Sequence, residues 1–261
     1  MIGMEVAAVG MVTGWGESAA ALPPDAVRAA AGRRLIAARR SMATGERFRR
    51  ATRECLLGIG AVEALLREGG LGREAIRGDA TALVYVTAAA YGSSNRGFIE
   101  AEAARPVHFP YTAPSAVPAE VAIEFGLTGP YGILIGGAAA TIDGLWQATR
   151  LLESGRCERA LVLAVETFED CAELYARGRW LVGRPLVEAA VCALLVPGDL
   201  RTRYDAPRAP SALETRARTR AGETLACGPL IALALGREDG ATGSIGVTGE
   251  WRGRRAGLYW H

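Results

Sequence analysis

The sequence contains no lysine, so all 30 of its basic residues are arginines. A lysine Schiff base, a P-loop phosphate site and a pyridoxal-phosphate anchor each need a lysine, and these three chemistries are therefore excluded. Histidine is almost as scarce, with only His108 and His261 among 261 residues. A mechanism that takes two or three histidines from one chain is therefore not expected.

The cysteines argue against two further kinds of site. They form no C-x-x-C pair and their number is odd, which is typical of reduced thiols and not of a disulfide framework or a zinc site. We therefore expect a cytoplasmic protein with no metal and no other cofactor. The N-terminus lacks the basic region of a signal peptide, and the weakly polar stretch 131–147 is expected to be a buried strand and helix, not a membrane span. The cysteines are Cys55, Cys157, Cys171, Cys192 and Cys227.

The formal net charge of +2 does not indicate a nucleic-acid partner. The arginines are nevertheless unevenly spread, because residues 28–53 carry nine of them against the single acidic residue Glu46. Two interpretations stay open, a solvated helix face and a docking patch for an acidic partner. The arginines are Arg28, Arg33, Arg34, Arg39, Arg40, Arg47, Arg49, Arg50 and Arg53.

Half of the residues are hydrophobic, which is ample for a large core in a chain of this length. The apolar spacing predicts strands that alternate with helices, and this order favours an α/β sheet covered on both faces. The predicted strands are 6–12, 82–87, 131–136, 160–165, 188–196, 243–247 and 255–260. The predicted helices are 25–41, 48–67, 117–125, 138–154 and 222–235.

Residues 129–166 are the most informative stretch of the sequence. A Gly-Pro pair opens an apolar strand, a long helix follows, Gly155 closes the helix, and the next strand ends in Glu166. This order resembles the nucleophile region of the β-ketoacyl synthases, which belong to the thiolase-like superfamily. Three further segments resemble parts of the same family in the same order, namely 6–16, 113–130 and 222–260.

The resemblance implies a thiolase-like fold of layered α/β/α/β/α architecture, shortened in its C-terminal half. Residues 1–197 would form the N-terminal half of a ketosynthase. Residues 198–221, which contain two prolines and many arginines, are expected to be a linker or loop. Residues 222–261 would be the remnant of the C-terminal half, within the same globular unit.

The family's chemistry needs a cysteine thiolate at a helix N-terminus and two histidines that stabilise the developing oxyanion. At the matching positions this chain has Ala138 in place of the nucleophile and Glu223 in place of the second histidine. The segment that would carry the first histidine is missing, because residues 196–221 are too few to hold it. The resemblance therefore implies that the chain has no catalytic residues of this kind and is not an enzyme on its own.

Other side chains of the sequence are poor substitutes for the missing nucleophile. Cys227 lies in the predicted first turn of the last helix, where the helix dipole would lower a thiol pKa, but no histidine is available to activate it. Cys157 and Cys192 are expected to be structural, and Glu166 is expected to be a structural carboxylate at a strand end. Neither Ser115 nor Thr141 has an evident base.

The resemblance further implies a role as a non-catalytic subunit, like the chain length factors that pair with an active β-ketoacyl synthase in fatty acid, polyketide or aryl-polyene biosynthesis. The expected partners are the catalytic ketosynthase, as a heterodimer, and an acyl carrier protein with its acyl chain. Two alternatives stay open, a homodimeric acyl-binding or regulatory protein, and an acyltransferase or hydrolase with a non-standard nucleophile.

The resemblance also implies which residues meet the partners. The strand 131–137 would form the dimer edge. The residues expected at the partner's acyl tunnel are Val107, His108, Phe109, Tyr111 and Thr112, and those expected to contact the carrier protein are Arg33, Arg34, Arg39 and Arg40.

Overall fold

The computed structural model describes residues 3–39, 48, 51–100, 106–168, 183–240 and 245–261. Strands and helices alternate along most of this length, as the apolar spacing predicts. The strands are β1 (Gly3–Thr13), β2 (Leu35–Ile36), β3 (Thr81–Thr87), β4 (Tyr131–Ile135), β5 (Arg159–Glu166), β6 (Leu186–Val187), β7 (Ala189–Gly198), β8 (Thr202–Asp205), β9 (Ile245–Trp251) and β10 (Arg254–Trp260). The α-helices are α1 (Ala26–Ala30), α2 (Arg53–Glu68), α3 (Tyr91–Glu100), α4 (Ala116–Phe125), α5 (Ala138–Glu153), α6 (Ala212–Ala221) and α7 (Gly228–Glu238).

The larger sheet has the strand order β1-β7-β5-β3-β4. The strands β5, β3 and β4 are parallel to one another, whereas β7 runs antiparallel to both of its neighbours. Every residue of β3 is buried, because helices cover both faces of this strand. On one face α2 packs against β1, β5 and β7, and on the other face α5 packs against β3 and β5.

A smaller sheet has the order β8-β10-β9, with both pairs antiparallel. Helix α5 also contacts β9 and β10, so it lies between the two sheets, and α7 contacts β1, β7 and β9 in the same layer. This layered arrangement places the N-termini of two central helices, α5 and α7, beside the end of β9. The smaller sheet thus sets the position of the site described below.

Glycines permit the closest approaches between these layers. A Cβ atom at Gly10 in β1 would lie 1.9 Å from the backbone nitrogen of Leu65 in α2, so only glycine allows the strand and the helix to pack this closely. Gly126 ends α4 in the left-handed conformation, with φ of 66°, and its N–H donates to the Ala122 carbonyl. The end of the helix predicted over 117–125 is therefore confirmed.

The predicted helix 25–41 is wrong beyond its first turns. Helix α1 ends at Ala30 because Ala31 and Gly32 both adopt positive φ, and the Arg33 side chain donates to the carbonyls of Ala29 and Ala30. The chain then forms β2, which pairs in parallel with β6. Burial of Ile36 in this short sheet outweighs the helical propensity of the Ala- and Arg-rich sequence.

Residues 198–221 differ from the expected linker or loop. They contain β8, which pairs with β10, and helix α6, which packs on α7. The Ser211 side chain caps α6 by accepting a hydrogen bond from the Glu214 N–H at 3.1 Å. The prolines lie before this cap, so they do not interrupt the helix.

The buried strand expected at the start of the stretch 131–147 is in part exposed. Strand β4 is the edge of the larger sheet, with β3 as its neighbour, and the side chains of Tyr131 and Ile135 are 72% and 51% exposed. An apolar strand is therefore not sufficient to predict burial. Among the described residues, no helix is long and apolar enough to cross a membrane.

Candidate functional site

The position that the sequence aligns with a nucleophile lies where the chain passes from β4 into α5. Gly137 precedes the helix, Ala138 is its first residue, and the Ala138 methyl group lines a cavity of about 440 Å³. An alanine methyl has no atom that can attack a thioester. Residue 138 therefore stands at the N-terminus of a central helix, with a side chain that carries no nucleophilic atom.

Trp251, the last residue of β9, closes one side of this helix start. Its ring packs on Gly137, where a Cβ atom would lie 2.2 Å from a ring carbon of the tryptophan. The backbone of Gly249 approaches from the same strand, and a Cβ atom there would lie 2.6 Å from the Ala138 carbonyl oxygen. Glycines at 137 and 249 are therefore required by the packing of β9 against α5.

Glu223 lines the same cavity as Ala138, so the two family positions that the sequence singled out are brought together. One Glu223 carboxylate oxygen accepts the Leu225 N–H at 3.1 Å, and the other lies 3.6 Å from the Arg218 guanidinium. A carboxylate here would oppose the development of negative charge on a substrate. Of the residues that line the cavity in the described part of the chain, none is a cysteine or a histidine.

A network of charged side chains forms the wall of the cavity beside β9. The buried Glu214 carboxylate pairs with Arg255 at 2.6 Å and accepts a hydrogen bond from the Thr248 hydroxyl. Arg255 also pairs with Glu250, its neighbour across the β9–β10 pair. This network is not apparent from the sequence, because its members are separated by up to 41 residues along the chain.

Cys227 is not available as a substitute nucleophile. Its side chain is fully buried, and its thiol donates to the Ala189 carbonyl at 3.3 Å. Burial, together with the nearby Glu166 carboxylate, holds the pKa of the Cys227 thiol well above its usual value. The helix start therefore does not produce a thiolate, contrary to the argument from the dipole alone. Burial likewise raises the pKa of Cys157 and Cys192.

Glu166 lies fully buried at the end of β5, as expected of a structural carboxylate. Its oxygens accept hydrogen bonds from the N–H groups of Ala88 at 2.6 Å, Ala89 at 3.1 Å and Ala226 at 3.4 Å. Burial raises the pKa of this carboxyl group to about 8, although these hydrogen bonds act in the opposite direction. Glu166 thereby ties the start of α3 to the start of α7.

Residues Pro106–Thr112, which contain the expected tunnel residues, form a 3-10 helix. Phe109 is 63% exposed and packs edge-on against Phe98 of α3, with ring centroids 5.8 Å apart. Tyr111 and Thr112 instead bond within their own chain, since the Tyr111 hydroxyl donates to Glu120 and the Thr112 hydroxyl donates to the Phe109 carbonyl. For Val107 and His108 only the backbone is described, and their side chains lie outside the described part of the structure.

The arginine-rich segment lies apart from the cavity, since none of its described arginines lines it. Arg28, Arg34 and Arg39 are exposed, and within the described ranges no carboxylate pairs with them. Arg33 is also exposed while it closes α1. Arg40 lies outside the described residues. The described residues also contain no group of three or more side chains suited to binding a metal ion.

Comparison with known protein families gives one match. The model of the β-ketoacyl synthase N-terminal domain matches residues 38–183, which is more than half of the chain. The comparison with curated protein sequences gives no match.

Solved structures similar to this chain include ketosynthases and complexes of ketosynthases with chain length factors. The ishigamide ketosynthase/chain length factor matches with a TM-score of 0.72 and 16% identity, over 99% of this chain and 98% of that chain. A β-ketoacyl synthase from Burkholderia phymatum matches with a TM-score of 0.71 and 13% identity, over 100% and 99% of the two chains. A ketosynthase in complex with its chain length factor from Xenorhabdus doucetiae matches with a TM-score of 0.66 and 14% identity, over 100% and 99%. These likenesses confirm the thiolase-like α/β fold.

Proposed function

The chain belongs to the β-ketoacyl synthase family, and we propose that it acts there as a non-catalytic subunit of the chain-length-factor type, paired with an active ketosynthase. The observation that carries the proposal is the combination of Ala138 at the start of α5 with the exposed apolar edge strand β4 directly before it. The first feature removes the family's chemistry, and the second offers a surface for another subunit.

The edge strand supports an association in two ways. An unpaired edge strand presents backbone N–H and C=O groups that can bond to a strand of another chain. Tyr131 and Ile135 add two large apolar side chains to this edge, and their burial in an interface would be favourable. We therefore place the contact with the ketosynthase at β4.

Phe109 supports a role at the partner's acyl tunnel. Its ring is exposed, yet it is held in place by Phe98 and by the short helical turn on which it stands. A rigid exposed ring can fill a cavity of a neighbouring subunit at little cost in side-chain entropy. We propose that Phe109, with His108 of the same turn, limits the length of the acyl chain that the partner can extend.

The exposed arginines beside α1 favour an acidic protein as a further contact. We propose that Arg33, Arg34, Arg39 and Arg40 help to attract the acyl carrier protein to the complex, which would act in fatty acid, polyketide or aryl-polyene biosynthesis in the cytoplasm. Charge attraction of this kind mainly accelerates association and weakens as salt is added.

Neither alternative function is favoured by a specific contact. An acyltransferase that uses Cys227 conflicts with the burial and the raised pKa of that thiol. A homodimer would use the same edge strand β4. Identification of the second subunit in the purified complex distinguishes the homodimer from the heterodimer.

Co-expression with the ketosynthase encoded nearest to this chain, one that has its cysteine and both histidines, tests the proposal. We expect a 1:1 complex by size-exclusion chromatography with light scattering, and condensing activity only in the complex. The double substitution Tyr131→Glu with Ile135→Glu should abolish the complex, because two charged side chains would then be buried in the interface. Val27→Glu is the matched control, since Val27 is 52% exposed on α1, away from β4. A chain that stays a monomer beside every such ketosynthase, or that forms an acyl adduct alone, would overturn the proposal.

A further inference from the structure

The cavity beside Ala138 contains hydrogen-bond donors that have no acceptor in the described residues. Thr224 is only 3% exposed and lines the cavity, yet its hydroxyl bonds to no other described group. The amides of Ala138 and Ala139 begin the 16-residue helix α5 and likewise have no described acceptor. The N-terminus of a helix carries partial positive charge, so these groups favour an oxygen atom that bears negative charge.

Two arginines of the cavity have guanidinium N–H groups that can donate further hydrogen bonds. The Arg218 guanidinium lies 3.5 Å from Glu214 and 3.6 Å from Glu223, whereas close pairs of a guanidinium and a carboxylate are about 2.7–2.9 Å apart. Arg252 stands on the exposed β9–β10 turn with its guanidinium over the Trp251 ring, and no described carboxylate pairs with it. Both side chains can therefore donate to a bound molecule.

The carboxylates of the cavity, in contrast, already accept hydrogen bonds or form ion pairs within the chain. Glu214 and Glu250 share Arg255, and Glu223 accepts the Leu225 N–H. With Arg218, Arg252 and Arg255 present, the three carboxylates are balanced in charge. The rest of the wall is apolar, and it is formed by Ala217, Leu225, Pro229 and Trp251.

We propose that this cavity reversibly binds a small organic carboxylate. The carboxylate group would accept from Arg218, the Thr224 hydroxyl and the Ala138 amide, and the apolar part would lie against Leu225, Pro229 and Trp251. A volume of about 440 Å³ lies within the range of small-molecule sites. The proposal concerns the cavity of this chain alone, and it does not depend on a partner subunit.

Isothermal titration calorimetry of the full chain with benzoate tests the proposal. Benzamide has the same shape without the charge, and inorganic phosphate has the charge without the apolar part. We expect benzoate to bind at least roughly tenfold more tightly than either compound, because only benzoate uses both the donors and the apolar wall. Phosphate that binds as tightly as benzoate would assign the site to inorganic anions and overturn the proposal. Benzamide that binds as tightly as benzoate would also overturn it.

Substitutions locate the binding. Arg218→Gln should weaken benzoate binding roughly tenfold, whereas Arg216→Gln should not change it, because Arg216 lies on the same helix and pairs with Asp239 outside the cavity. Thr224→Val should weaken binding severalfold while Thr224→Ser retains it, and this second pair keeps the test valid if Arg218→Gln does not fold. Glu223→Gln should strengthen binding, which a purely structural role of Glu223 does not predict. Undetectable binding of benzoate to the unsubstituted chain would contradict the proposal. Benzoate binding that is unchanged in both Arg218→Gln and Thr224→Val would also contradict it.

Discussion

The Glu188 carboxylate and the Arg53 guanidinium form a buried ion pair with a distance of 2.5 Å between Oε2 and the terminal nitrogen. Glu188 is fully buried and also accepts the N–H groups of Ala38 at 3.0 Å and Phe168 at 2.8 Å. One side chain thereby joins the residues after β2, the start of α2 and the end of β5. Glu188 and Arg53 are separated by 135 positions in the sequence.

We expect Glu188→Gln to lower the free energy of unfolding by about 3 kcal/mol, because the substitution removes the carboxylate charge from a largely buried ion pair. Urea denaturation followed by circular dichroism measures the change. The control is Glu17→Gln, which removes the exposed partner of Arg67 and should change stability by no more than about 0.5 kcal/mol. Equal effects of the two substitutions would contradict this role for Glu188.

Gly137→Ala should destabilise the protein by about 1–3 kcal/mol, because the added methyl group would overlap the Trp251 ring. Gly72→Ala is the matched control, since a Cβ atom there meets no atom within 4 Å. Thermal unfolding compares the two variants. In a double-mutant cycle, the cost of Gly137→Ala should largely disappear in a Trp251→Ala background. A cost that is unchanged in that background would mean that the tryptophan does not limit the space at residue 137.

The raised pKa of Glu166 makes stability depend on pH. At pH values below about 4.5 the carboxyl group holds its proton in both the folded and the unfolded chain, and this group contributes no pH dependence. Between about 4.5 and about 8 the folded chain retains a proton that the unfolded chain loses, so the contribution of this group to stability should fall as the pH rises. Two titratable side chains interact with Glu166, Tyr85 and Cys227, and mainly burial raises the pKa of each, so both stay neutral over this range.

Glu166→Gln should therefore flatten this part of the pH profile. Urea denaturation at a series of pH values from 4.5 to 8.5 measures the slope, which for one proton is at most about 1.4 kcal/mol per pH unit. Glu223→Gln is the control, because it removes a different carboxyl group near the start of α7. It should leave the slope between pH 4.5 and about 8 unchanged. If the wild-type chain and the Glu166→Gln variant show the same slope, Glu166 does not retain its proton on folding.

The four described cysteines should resist alkylation in the native protein, because all are buried and burial raises their pKa, in the case of Cys55 to about 12. Iodoacetamide labelling followed by peptide mass spectrometry should show modification of Cys55, Cys157, Cys192 and Cys227 only after unfolding. Rapid labelling of Cys227 in the native chain would show that its thiol is accessible and reactive. Cys227→Ala would then test its contribution to any turnover.

Phe109→Ala should lengthen the products of the complex with a ketosynthase without disrupting assembly, because a smaller side chain leaves room for a longer acyl chain. His108→Ala should also alter product length. Mass spectrometry of the carrier-bound products measures the distribution. Ile123→Ala is the control, since Ile123 is about as exposed as Phe109 but lies on α4. Unaltered distributions for both Phe109→Ala and His108→Ala would place the tunnel contact elsewhere.

Local signals in the sequence predicted most helices and strands, and nonlocal contacts account for the errors. Gly126 and Gly155 mark helix ends because a left-handed residue stops a helix regardless of its surroundings. The helix expected over 25–41 instead ends at Ala30, because Ile36 is buried beside Val187 in the small parallel sheet. The apolar sequence of β4 favours burial, whereas the order of the larger sheet places it at an edge, where the family resemblance also puts the strand 131–137.

The candidate site was predictable in its chemistry and not in its surroundings. Ala138 and Glu223 were identified from the spacing of family motifs, and the structure places both on one cavity. Thr224, Arg218 and Trp251 were missed, since nothing in their local sequence indicates which distant residues they face. The glycine-rich segment before Trp251 was the one available signal, and it indicated a close approach of the backbone without naming the neighbour.

The sequence by itself determined which atoms are present, and it thereby excluded a lysine mechanism and a cysteine nucleophile at residue 138. It also determined the alternation of strands and helices, because backbone periodicity is a local property. Only the tertiary structure decided that Trp251 packs on Gly137, that burial keeps Cys227 a thiol, and that β4 is exposed at a sheet edge. These outcomes depend on residues far apart in the chain, whose contacts and whose loss of water exist only in the folded molecule.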